Sequence, residues 1–335
     1  MRVTPNMIYE QLSRALEKNY EDLGRVHAQL SSGKRINKPS DDAVGLARAL
    51  DYRVSISADT RYQRNISEAS AQLEFVDTTL TAVTENILNA KRVAVTAASG
   101  ALDDVTRAAV AQQAMQLRDS MLNLGNSIFR DRYIFSGFRT DIPSFDAATY
   151  AYQGNAGVIN APIDGAVVIP VNLPGSDVFG HSLAGSDVVQ ISGGRYVHYT
   201  PGGGTLVQVE IRDTDDVTVL DTFSYSNVIQ MTDILYTAVN TNNTARIEAL
   251  IKPFDLIHRQ VITVQAEVGS RLSRLDNQTG QLKASVLSMQ TLLSETEDAD
   301  MTTAAVELNK IETALKAMLK SSADVLSLSL LDFLR

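Results

Sequence analysis

The sequence contains no cysteine, which excludes disulfide bonds, thiolate catalysis and cysteine-ligated metal sites. It also contains no apolar run near the ~18 residues that a membrane-spanning helix needs, so we expect no stable membrane insertion. The opening residues, MRVTPNMIYEQLSRALEKN, have neither an apolar core nor a small-residue cleavage site. We therefore expect no cleaved signal peptide, and on this ground alone the default compartment is the cytoplasm.

Histidine is scarce, and no catalytic pattern is present. The GxSxG, HExxH and GxxxxGK[ST] motifs are absent. The acidic cluster Asp213, Asp215 and Asp216 lacks the glycine and terminal glutamate of a calcium loop, and it indicates a hairpin turn. Four histidines occur without metal-ligand spacing: His27, His181, His198 and His258. The sequence therefore predicts a protein that is not an enzyme, with no catalytic residues, no metal site and no cofactor.

Basic charge is also in short supply. The net charge is −9 and the pI is about 5.0, which argues against nucleic acid as a partner. Residues 140–227 hold ten acidic and two basic residues, so this window carries almost the whole net charge. It also holds 11 of the 19 glycines and 5 of the 8 prolines, and its short β-branched runs alternate as strands do. We expect a small antiparallel β domain here.

Long helices are predicted on both sides of this window. Apolar residues recur at alternating spacings of three and four, which is typical of coiled-coil seams. One seam runs from Ile66 to Ala97, a second from Val110 to Ile128, and a third from Leu250 to Leu293. Asp103 is a candidate N-cap between the first two. The predicted fold class is mainly α with a β insert: an elongated coaxial helical coiled coil or bundle, formed by the N- and C-terminal segments and topped by a small antiparallel β domain.

The two ends of the chain repeat the seam pattern in shorter helices, which pair with each other in a nested arrangement. Two such helices bury little surface alone, so we expect them to need further copies of themselves. The predicted assembly seam comprises Leu12, Leu16, Leu23, Val26, Leu30, Leu308, Ile311, Leu315, Met318 and Val325. The predicted domains are a terminal-helix inner domain (1–33 and 298–335), a connecting joint (34–42), a helical bundle domain (41–139 and 228–297) and an outer β domain (140–227).

A hard break interrupts the helical pattern at residues 30–49, LSSGKRINKPSDDAVGLARA. Gly33 suits the left-handed residue that ends a helix, and Pro39 forces its predecessor into an extended conformation. A phosphate loop is not indicated, because the first glycine of that motif is missing and the stretch follows a helix. The break is predicted to be a joint made of Gly33, Lys34, Arg35, Asn37, Pro39, Ser40, Asp41 and Asp42.

Roles within the joint follow from helix-end chemistry. Lys34 and Arg35 complement a negative helix end. We expect Ser40 to cap the next helix and both aspartates to lie in its first turn. The next apolar stripe is predicted to start with Ala43, Ala47, Leu50 and Val54.

The joint resembles the N-terminal signature of the bacterial flagellin superfamily. The C-terminal stretch EDADMTTAAVELNKIETALKAMLKSSADVLSLSLLDFLR resembles the matching C-terminal signature, so the resemblance covers residues 1–140 and 228–335. The opening RVTPNMIYEQ, the stretch YIFSGFRTDIPSFD and the single small β insert favour the branch that joins hook to filament. Filament flagellin itself is the alternative, and a coiled-coil adaptor or signalling bundle is a distant one.

The resemblance implies a structural role in the bacterial flagellum. It implies a homo-oligomer in a ring or tubular lattice, with the hook-side junction protein and flagellin as partners. It also implies a type III export apparatus and a secretion chaperone, and hence an extracellular location without a cleaved signal peptide.

Overall fold

The computed structural model describes residues 5–99 and 102–333, and the side chains of residues 7, 9–99 and 102–323. Chain contacts divide it into two compact units, Met1–Arg61 with Leu282–Arg335, and Tyr62–Gln281. The helices are α1 (Pro5–Ser32), α2 (Ala43–Ala98), α3 (Asp104–Gly125), α4 (Gly175–Phe179), α5 (Val228–Asn240), α6 (Thr244–Glu297) and α7 (Met301–Phe333). The four-part domain division predicted from composition stays a prediction.

The seam predicted in α2 is confirmed as a core face. Every member from Ile66 to Ala97 is buried, and Leu73, Leu80 and Ile87 are fully inaccessible to solvent. A 3-4 spacing places such residues on one side of a helix, where they are removed from water together. The seam of α6 is buried in the same way from Leu250 to Val268.

Polar contacts set the helix pairing inside the second unit. Lys91 donates to Asp255 at 2.6 Å, and Gln265 donates to Thr81 at 3.0 Å. Since the residue number falls on one helix as it rises on the other, α2 and α6 are antiparallel. The α3 helix starts at the predicted cap, where the Asp103 carboxylate accepts from the Thr106 amide at 3.0 Å. It packs along α5, a short helix for which no seam was predicted.

Within the described residues the β structure is antiparallel, as predicted, and forms three separate sheets. A hairpin of β1 (Ile128–Phe129) and β2 (Arg132–Tyr133) is followed by a pair, β3 (Asn160–Pro162) and β4 (Val168–Pro170). A four-stranded sheet follows in the order β5-β6-β7-β8, comprising Asp187–Gln190, Tyr196–Gly203, Leu206–Arg212 and Val219–Tyr225.

One expectation about these elements needs correction, and several elements were not predicted. The α3 seam was expected to continue to Ile128, but α3 ends at Gly125 and Ile128 lies half-exposed in β1. The β1–β2 hairpin, β5 and the five-residue α4 were not predicted, because each is too short to show a period. The turn between β7 and β8 is formed as expected: Asp215 accepts from the amides of Val217 and Thr218.

The stretch after the β1–β2 hairpin folds into an aromatic core. The rings of Phe135 and Phe145 each pack edge-on against Phe179, with centroids 5.1 Å apart. Tyr152 donates its hydroxyl hydrogen to the Phe135 carbonyl at 2.8 Å, and burial raises the pKa of Tyr152 to about 12. Within the stretch YIFSGFRTDIPSFD, Ile134, Phe135 and Phe145 are buried, whereas Phe138 is 63% exposed. The stretch therefore contributes part of this core.

The four-stranded sheet is fixed to the first turns of α6. Tyr199 of β6 donates to the Ala249 carbonyl at 2.8 Å, and Arg246 forms a two-pronged contact with Asp221 of β8. Two-pronged arginine–carboxylate pairs fix orientation as well as distance. The sheet and the first turns of α6 therefore lie in the same compact unit, Tyr62–Gln281.

Candidate assembly surface

The terminal helices α1 and α7 pack against each other within the first unit. Asn19 donates to the Met318 sulfur at 3.1 Å, and Arg25 contacts Glu307 at 3.2 Å. These contacts run in opposite directions along the two helices, so the pair is antiparallel. The pairing of the two chain ends that the sequence predicted is therefore formed in the single chain.

The predicted assembly seam lies at this contact but is only partly covered. Val26 is fully buried and Ala304 of α7 is 5% exposed. The other described seam residues are partly exposed: Leu12, Leu16, Leu23, Leu30, Leu308, Ile311, Leu315 and Met318. The side chain of Val325 lies outside the described residues. Compared with the inaccessible seam of α2, the terminal seam keeps apolar surface in water, which costs about 25 cal/mol per Å².

The joint is held by a backbone bridge to the second break in the helices, between α6 and α7. Gly33 has a φ of +70°, as predicted for a helix-ending glycine, and its amide donates to the Gln29 carbonyl. The Arg35 amide then donates to the Glu297 carbonyl at 2.6 Å, and the Ala299 amide donates to the Gly33 carbonyl at 2.9 Å. The two breaks, far apart in sequence, thus form one structure.

Glu297 is the electrostatic centre of this structure. Its side chain is only 6% exposed, and it accepts from Lys34 Nζ at 2.6 Å and from the Arg53 guanidinium. A carboxylate removed from water is stable only when it is paired and hydrogen-bonded. Arg35 donates to the Thr296 carbonyl at 2.7 Å. Lys34 and Arg35 therefore serve the end of α6, not the end of α1 as the order of the chain had suggested.

The helix cap of α2 needs correction. α2 begins at Ala43, and Asp42 is the residue that accepts from the Gly45 amide at 2.8 Å, so Asp42 and not Ser40 is the N-cap. Asp41 precedes the helix and accepts from the amides of Asn37 and Lys38. The backbone hydrogen bond from Lys38 lowers the pKa of Asp41, and that from Gly45 lowers the pKa of Asp42. Pro39 and Ser40 lie in the turn from Lys38 to Asp41, just before α2.

The stripe predicted to start the α2 core face is also corrected. Ala43 and Ala47 are exposed, and so are Leu50 (49%) and Val54 (68%). The buried positions at the start of α2 are instead occupied by small residues, Gly45 and Ala49. The apolar periodicity was real, but in the single chain this stripe faces solvent.

Sequence reasoning missed Glu297, Arg53, Ile36 and Gly45 as parts of the joint. Ile36 is 5% exposed, and a Cβ on Gly45 would lie 2.5 Å from the Asp42 carboxylate. Ile36, a single apolar residue within a polar stretch, could have indicated a buried position in the joint. The sequence near Glu297 carries no such signal, because its partners lie more than 240 residues away in the chain.

Among the described residues, no group of three metal-ligating side chains is close enough to hold an ion. Within the same part of the chain, no helix combines the length and hydrophobicity needed to span a bilayer. The features described at this site are therefore the partly exposed helix surface and the joint, which is held by hydrogen bonds and ion pairs.

Family models match both ends of the chain. The model described as bacterial flagellin N-terminal helical region matches residues 3–140, and the bacterial flagellin C-terminal helical region matches residues 252–334. The chain belongs to the bacterial flagellin superfamily. Flagellar hook-associated protein 3 of Salmonella typhimurium is 26% identical over 98% of both chains.

Flagellar hook-associated protein 3 of Escherichia coli is equally similar, at 26% identity over 98% of both chains. A flagellin of Listeria monocytogenes is 30% identical over 107 residues, which is 32% of this chain and 37% of that protein. In fold, the chain is similar to the flagellar junction protein from Legionella pneumophila, with a TM-score of 0.54 and 14% identity. That match covers 75% of this chain and 100% of the other.

Proposed function

We propose that this protein is a structural component of the bacterial flagellum that joins the hook to the filament. The observation that carries the proposal is the extent of the match. Likeness to hook-associated protein 3 spans 98% of the chain, whereas the matched Listeria flagellin aligns over about a third. The match to hook-associated protein 3 includes the β sheets between the two flagellin-type ends.

The mechanism is packing between subunits, without a catalytic step. Ordering each residue costs about 1–2 kcal/mol, and apolar burial at about 25 cal/mol per Å² must offset that cost. In the single chain the terminal seam is left partly exposed, so neighbouring copies in a ring or tubular lattice supply the missing burial. The inner helices, whose seams are buried from Ile66 to Ala97 in α2 and from Leu250 to Val268 in α6, act as the rigid support.

The partners follow from this position. One face of the assembly contacts the hook-side junction protein and the other contacts flagellin. The protein lies in the extracellular flagellum, and we propose export through the flagellar type III apparatus with a secretion chaperone. The terminal-helix, joint, bundle and outer β domains predicted from composition would form successive layers of the assembly.

Labelling of isolated flagella tests the location. An antibody against the purified chain is expected to mark one narrow band between hook and filament. A label along the whole filament would establish filament flagellin instead. No label on detached flagella, together with a stable intracellular oligomer, would establish the adaptor or signalling-bundle alternative.

Substitution in the terminal seam tests the mechanism. Leu16→Asp or Leu315→Asp places a charge in the partly covered seam, and each is expected to abolish assembly while the inner helices stay folded. Leu16→Met and Leu315→Met are the matched controls, because they conserve volume and polarity. Normal assembly by the aspartate variants would contradict the proposed packing.

A further inference from the structure

The outer faces of α1 and α7 carry unpaired charges of opposite sign. On α1, Glu17 and Glu21 are one turn apart and exposed. On α7, Lys316 and Lys320 are likewise one turn apart and exposed. Within the described part of the chain, none of these four side chains takes part in an ion pair. Each pair therefore presents its charge to solvent.

The position of both pairs on their helices follows from the seam. Leu16 and Leu23 face α7, so Glu17 and Glu21 lie on the side of α1 away from it. By the same spacing, Leu315 and Met318 place Lys316 and Lys320 on the side of α7 away from α1. One exposed base, Lys18, lies at the edge of the α1 face, whereas the corresponding α7 face has no acidic residue among positions 313, 316, 317 and 320.

The two faces also lie at the same height along the helix pair. The Asn19–Met318 contact fixes the level of α1 against α7. Glu17 and Glu21 flank Asn19 by two residues on each side, and Lys316 and Lys320 flank Met318 in the same way. A neighbouring copy placed beside the first without axial displacement brings its acidic pair opposite the first copy's basic pair.

We propose that α7 of one copy contacts α1 of a second copy through these faces, with Glu17 and Glu21 opposite Lys320 and Lys316. This contact is heterologous, since it joins two different surfaces, and it repeats around a closed ring or tube. Exposed ion pairs add little affinity, but they select orientation and register. The proposal rests on the proposed function, because it assigns the side-by-side contact within that assembly.

Charge exchange between copies tests the proposal in the full chain. Variant A is Glu17→Lys with Glu21→Lys, and variant B is Lys316→Glu with Lys320→Glu. Each is expressed alone, and both together, in cells that lack the native protein, and filament-bearing hooks are counted by electron microscopy. Each alone presents like charges at every contact, so we expect at least a tenfold loss. Co-expression permits alternating A and B copies with opposite charges, so we expect recovery to within about twofold of the native chain.

The controls separate this contact from folding and from the proposed function. Glu74→Lys with Glu85→Lys applies the charge change of variant A to exposed positions of α2, and it should leave the count unchanged. Circular dichroism and the amount of exported protein verify that A and B fold and reach the exterior. Failure of the native chain to restore filaments would overturn the proposed function. Suppose that the native chain does restore filaments. Two results would then overturn the proposed contact: normal filament counts with A or B alone, or no recovery of filaments when A and B are co-expressed.

Discussion

Glu297 is the residue on which the joint depends most. Glu297→Gln keeps the side-chain size but leaves Lys34 and Arg53 without their carboxylate. Breaking a buried pair costs several kcal/mol, but both cations are about 40% exposed and regain water. We therefore expect a loss of about 1–2 kcal/mol, measured as a lower urea midpoint by circular dichroism. Glu295→Gln, at an exposed position two residues away, is the control and should change stability by less than about 0.5 kcal/mol.

Glycine is required for different reasons at Gly33 and Gly137: backbone conformation alone at Gly33, and conformation together with lack of space at Gly137. Both have positive φ, but a Cβ on Gly33 meets nothing within 4 Å, whereas one on Gly137 lies 2.1 Å from the Asn155 carbonyl oxygen. Gly33→Ala should therefore cost about 1 kcal/mol, the price of a left-handed alanine. Gly33→Asn should cost less, since asparagine tolerates this conformation. Gly137→Ala should cost clearly more in the same urea experiment; equal losses at the two sites would contradict this account.

Three helices share one capping chemistry at their N-termini. Asp42, Asp103 and Asp300 accept hydrogen bonds from the first turns of α2, α3 and α7. The Gly45 amide lowers the pKa of Asp42, and the side chains of Thr106 and Thr303, followed by backbone amides, lower the pKa of Asp103 and of Asp300. Because the folded pKa lies below the unfolded value of about 3.9, the stabilisation is present above that pH and is lost as pH falls through the lowered value. We expect these first turns to fray in acid, as the pH falls below the unfolded value of about 3.9.

Hydrogen exchange at pH 3 and pH 6, corrected for intrinsic rates, measures this fraying. Asp42→Asn retains an accepting oxygen but does not titrate, so exchange in the first turn of α2 should lose its pH dependence while α3 and α7 keep theirs. An unchanged pH dependence in that turn would exclude Asp42 as its source.

The inner helices could be predicted from the sequence, because a periodic seam reports directly which side of a helix meets the core. The seam of α2 from Ile66 to Ala97 needed no other information. The same signal misled at Leu50 and Val54, since periodicity shows that a stripe is apolar but not that the same chain covers it. The β1–β2 hairpin escaped because its turn residues, Arg130 and Asp131, both have positive φ without glycine or asparagine.

Part of the candidate site was also predictable from sequence. Gly33 and the pairing of the terminal helices follow from local signals and from the symmetry of the pattern. The choice of Asp42 over Ser40 as cap could not be predicted, since Ser, Asp and Asn cap equally well and the turn at Lys38–Asp41 decides the register. The role of Glu297 depends on folding of the whole chain.

At the scale of the molecule, stability should differ sharply between the two units. The seams of α2 and α6 in residues 62–281 are buried, whereas those of α1 and α7 are partly exposed. Hydrogen exchange of the unassembled chain should therefore show amides of residues 66–97 protected at least 100-fold more than those of residues 7–30 and 301–323. After assembly that difference should shrink. Strong protection of both terminal segments before assembly would contradict the proposed mechanism.

The bridge between Lys34 and Asp298 also constrains the order in which the chain can fold. The two bridged residues are separated by most of the polypeptide. Closing so long a loop costs conformational entropy before the contacts that stabilise it can form. Prior folding of residues 62–281 shortens the effective loop to a few flanking segments. We therefore expect the bridge to form after residues 62–281 have folded.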